Sequence, residues 1–114
     1  MNMSGHDLYN ELYSKTKLLD VAIKELGNRG RTWAQAEHDY KVALSAKILV
    51  EREKGTPVTI ISDICRGNRE IAKLRFERDV ALVTYKAAQE AINNYKLQIR
   101  IIDGQISREW GNTK

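Results

Sequence analysis

The 114-residue chain contains one cysteine, one proline, one phenylalanine and two histidines, and has no block of like charge. Each shortage removes a class of explanation. A single cysteine, Cys65, cannot close an internal disulfide. His6 and His38 stand too far apart to make a metal-ligand spacing, and no HExxH, CxxC, GxSxG or glycine-rich phosphate loop occurs. Glu37, His38 and Asp39 are consecutive, and consecutive side chains on a helix point in different directions. No apolar run approaches the ~20 residues that span a bilayer. The opening "MNMSGHDLYNELYSK" lacks the basic-then-apolar layout of a secretory signal. The expectation is an intracellular, cytoplasmic protein that is not an enzyme and has no cofactor, no metal and no membrane partner.

What the chain does have is apolar residues (42%) and charge (30%) in the proportions of one folded domain. The net charge is +4, which permits nucleic-acid binding without requiring it. Acids and bases are interleaved, as in "EREK" and "REIAKLRFERD", so the charge reads first as a solvated helical surface.

The strongest pattern lies in the second half. Alternating steps of three and four from Ile71 meet Leu74, Arg78, Ala81, Tyr85, Ala88, Ile92, Tyr95, Ile99, Ile102 and Ile106. All but Arg78 are apolar, and no proline interrupts them. A heptad repeat sustained this long predicts one helix with a narrow apolar seam. In the first half the same steps meet Leu8, Leu12, Lys15, Leu19, Ala22, Leu26, Arg29, Trp33, Ala36, Tyr40, Ala43, Lys47 and Val50. "GNRGRT" interrupts this run with two glycines, each costing about 1 kcal/mol inside a helix. Thr32 with Gln35 there resembles a capping box. Leu26 and Trp33 nevertheless keep phase, which favours one helix; a three-helix bundle with a break at 28–31 is the alternative.

The fold expected is therefore all-α, a long antiparallel helical hairpin with coiled-coil-like packing. Its arms are residues 7–54 and about 69–110, and its tip is 55–68. Reversal about residues 61–62 would set Tyr40 near Tyr85, Trp33 near Ile92 and Leu12 near Trp110. The packing seam is Leu12, Leu19, Leu26, Trp33, Tyr40, Tyr85, Ile92, Ile99, Ile106 and Trp110. Leu18, Val21, Ile23, Leu44, Ile48, Leu49, Val80, Leu82, Val83, Leu97 and Ile101 lie off it, more apolar surface than a lone hairpin covers. This predicts a homo-oligomer, most simply a dimeric four-helix bundle. Lys47 and Arg78 would fall at one level of the seam, as a polar layer fixing register and oligomer state.

The tip, "GTPVTIISDICRGN", reads as a turn with its own short helix. Gly55 is placed to end the first arm and Pro57 to stop it. Thr59 would cap a turn whose Ile60, Ile61 and Ile64 close the bundle, and Asn68 would cap the second arm. Cys65 reads as a small apolar filler. A helix-turn-helix is disfavoured because the would-be recognition helix runs on for some forty residues. Arg66, Arg69, Lys73 and Arg75 gather at the end of the tip and just after it, and are the candidate contacts for a partner or nucleic acid.

The segments "AQAEHDYKVAL", "GTPVTIISDICRGNREIAKLRFERDVA", "YKAAQEAINNYKLQIR" and "QISREW" resemble a group of small helical proteins of phages and prophages of Gram-positive bacteria. That group has no established activity, so the resemblance assigns no residue a role. It implies a bacterial host cytoplasm. The functional expectation is a non-enzymatic phage interaction protein, an oligomeric hairpin binding a host or phage protein. The alternative is a nucleic-acid-associated accessory protein that uses a basic hairpin end, with residues 24–31 as a further basic stretch.

Overall fold

The computed structural model describes residues 5–111 and is an all-α helical hairpin. Helix α1 is Gly5–Glu53, α2 is Val58–Gly67 and α3 is Arg69–Gly111. The break at 28–31 does not occur: α1 runs through it as one helix of 49 residues. The polar groups of "GNRGRT" are used inside the helix. The Thr32 hydroxyl donates back to the Asn28 carbonyl at 3.1 Å, and Arg31 donates to Asn28 Oδ1 at 2.6 Å. Gln35 donates to Asp39 and makes no capping box with Thr32.

The chain divides into two compact units. One is Asn28–Tyr85; the other takes the described residues up to Gly27 and from Lys86 on. In the latter, Leu8, Ile102 and Ile106 form a buried cluster with Leu12 packed against it. Leu12 therefore packs on this cluster, while Trp110 is 61% exposed.

In the Asn28–Tyr85 unit, Trp33 stacks on Tyr85 with ring centroids 5.5 Å apart. Gly30 makes this approach possible, since a Cβ there would lie 3.3 Å from the Tyr85 ring. Tyr40, the residue expected opposite Tyr85, lies instead under the Arg78 guanidinium at 4.6 Å. Relative to the expected pairing, α1 is slid along α3 by one heptad.

The reversal also comes earlier in the chain than expected. Gly55, at φ +81°, ends α1. Its N–H donates to Arg52 O and the Thr56 N–H to Glu51 O, the paired bonds of a Schellman motif. α2 then begins at Val58 behind Pro57, with no side-chain cap, so Thr59 lies inside it. The turn thus sits at residues 54–57, ahead of the reversal expected at 61–62. Asn68 ends α2 and caps α3, its Oδ1 accepting from Glu70 N at 3.0 Å and Ile71 N at 3.3 Å. Ile61 and Cys65, one turn apart, are the buried face of α2, and Cys65 is 0% exposed. Ile60 and Ile64 are exposed and do not close the tip.

Candidate interaction surface

The seam residues divide by burial. Tyr40, Ile92 and Ile106 are buried, whereas Leu12, Leu19, Leu26, Trp33, Tyr85 and Ile99 are half-buried. Two further positions of the α1 repeat, Arg29 and Val50, face solvent, and their neighbours Gly30 and Glu51 turn inward. Trp33 Nε1 is buried with no hydrogen-bond partner.

Lys47 and Arg78 have different partners. Arg78 donates to Asp79 Oδ1 at 2.9 Å and lies 3.7 Å from Glu37. The Asp79 hydrogen bond, and then the Asp79 and Glu37 charges, hold its guanidinium still more firmly protonated. Lys47 instead lies 3.6 Å from Glu51, and Lys54 is 3.7 Å from the same oxygen. Glu51, only 7% exposed, also accepts from the Thr56 hydroxyl at 2.7 Å. That hydrogen bond first, then the two lysines, lowers the Glu51 pKa against the opposing effect of burial. The expected layer thus becomes two clusters, each with its own acids. Glu51 was missed because its burial depends on the turn geometry that brings Thr56 over it.

Arg66, Arg69, Lys73 and Arg75 are all exposed. Arg69 and Lys73 share a face of α3 at i, i+4, whereas Arg75 projects elsewhere. Among the described residues no group of three or more His, Cys, Asp or Glu is arranged to hold a metal ion. No described helix is long and apolar enough to cross a membrane.

Large apolar side chains stand exposed on every helix. Phe76, Val80 and Val83 on α3, Val42 and Leu49 on α1, and Val58 on α2 are all exposed, Phe76 and Val83 each by 68%. Beside Phe76 and Val80, a groove of about 300 Å³ lies between α1 and α3, lined also by Thr32, Ala81 and Thr84. Phe76 escaped the sequence reading although it lies on the outer repeat of α3. No family model, curated protein or solved structure matches the chain.

Proposed function

We propose that the chain is a non-enzymatic interaction protein: a helical hairpin that self-associates and binds a host or phage protein in the bacterial cytoplasm. The phage setting comes from the sequence resemblance alone. The observation that carries the reading is the number of large apolar side chains left in water on all three helices. Burying one such side chain is worth about 1.5–3 kcal/mol, so these faces favour association, and contiguous apolar patches mark interfaces. Sedimentation velocity over a concentration series tests it. The expected result is a rise in mass with concentration; a compact monomer throughout the micromolar range defeats self-association.

A second reading, nucleic-acid association, rests on the exposure of Arg66, Arg69 and Lys73, none of which makes an ion pair within the described chain. Phosphate contacts weaken steeply with salt. Absence of DNA or RNA binding at about 50 mM salt removes this alternative. A tagged pull-down from host lysate with and without nuclease then separates a protein partner from a nucleic-acid one.

A further inference from the structure

The self-association reading leaves open which face is used and in what orientation, and α3 carries a specific answer. Outside the internal seam, a second series in α3 advances by alternating three and four residues: Lys73, Phe76, Val80, Val83, Ala87, Glu90. All six are exposed. Such spacing is what a neighbouring helix needs to pack knobs into holes along its length. On α1 the same alternation meets exposed Val42, Ala46 and Leu49, but acids flank this shorter stretch at both ends, Asp39 and Glu53, so an antiparallel copy would oppose like charges.

The series is complementary to itself read backwards. It begins with a base, ends with an acid, and places its largest residue and its smallest at mirrored positions. We propose that this face of α3 packs against the same face of a second copy, antiparallel about a two-fold axis. In that register Lys73 meets the second copy's Glu90, Phe76 meets its Ala87, and Val80 meets its Val83. The bulk of Phe76 is received where the partner has only a methyl group, and each charge finds its opposite. Neither Lys73 nor Glu90 has an ion-pair partner in its own chain among the described residues. A parallel pairing would set Lys73 against Lys73, Phe76 against Phe76 and Glu90 against Glu90, with like charges opposed at both ends. A C2 interface requires this kind of self-complementarity, so the second copy, rather than an unrelated helix, is the occupant.

The inference rests on the self-association reading, and disulfide trapping distinguishes the two. Positions 73 and 90 are about 25 Å apart along one helix at 1.5 Å per residue, and a disulfide needs Cα atoms within about 7 Å. The K73C/E90C variant should therefore form covalent dimers under mild oxidation and no intrachain bridge. K73C alone and E90C alone should form none, and buried Cys65 contributes no background. Charge reversal is the second measurement. K73E or E90K should each weaken the dimer about tenfold, given two pairs per dimer, and K73E/E90K should restore it. Cross-linking by either single variant indicates a parallel pairing and overturns the proposal. So does a dimer in which the double variant fails to cross-link, or in which the double reversal fails to rescue; self-association then stands without this seam. A monomer at all concentrations overturns both.

Discussion

At the residue scale, Asn68 shows how far local chemistry reaches. Its side chain accepts two N–H groups of the first turn of α3, so Asn68→Ala should lower stability by about 1 kcal/mol in urea denaturation, with Asn68→Asp retaining most of it. A cap of this kind is visible in sequence because it depends on residues two and three positions away. Gly30 is different. In sequence it is a helix breaker, but the space it leaves is taken by the Tyr85 ring that stacks on Trp33. Gly30→Val should displace that ring and cost about 1–3 kcal/mol, despite valine's better helix propensity. Near-ultraviolet circular dichroism should show the loss of the stacked pair. Glu51 adds a pH dependence. Folding lowers its pKa, chiefly through the Thr56 hydrogen bond, so near pH 4 the folded chain binds fewer protons than the unfolded chain. The contribution is complete above the ordinary glutamate range and is lost as pH falls through the lowered value. Glu51→Gln should lower Tm at neutral pH and flatten its acid dependence; an unchanged acid profile would count against this account.

At the scale of elements, the helices were legible because an apolar repeat carried through many turns has few alternatives. The register was not. A heptad repeat slid by seven residues still sets seam positions against seam positions, so the pattern alone cannot separate Tyr40 from Trp33 as the partner of Tyr85. What separates them is tertiary packing: the Tyr85 ring stacks on Trp33 and lies against Gly30. The same slide moves Lys47 away from Arg78. With no shared partner between their clusters, the stability effects of Lys47→Met and Arg78→Met should add to within about 0.5 kcal/mol, and a double-mutant cycle measures this directly. Within α2, adjacent helical faces carry Ile60 with Ile64 and Ile61 with Cys65, and only tertiary contact chose the second pair for burial. Ile61→Ala should cost about 2–5 kcal/mol. Exposed Ile64→Ala should stay near 0.5 kcal/mol, a contrast that urea midpoints resolve.

For the molecule as a whole, the balance lies between two kinds of apolar surface. Residues between α1 and α3 are buried by the chain itself, whereas Phe76, Val80 and Val83 are left to water. A net charge of +4 spread among interleaved acids and bases opposes assembly only weakly. Association that buries the outer face links folding to concentration, because whatever binds only the folded chain stabilises it by mass action. The Tm should therefore rise with protein concentration, by an amount set by the dissociation constant. Val83→Asp places a carboxylate at the middle of the outer α3 run, where burial without a partner is costly, while position 83 faces solvent within one chain. It should abolish the concentration dependence and leave Tm at high dilution close to that of the unmodified protein. If Val83→Asp instead lowers Tm equally at every concentration, the residue supports the hairpin itself. Its exposed face would then not be the surface through which the chains associate.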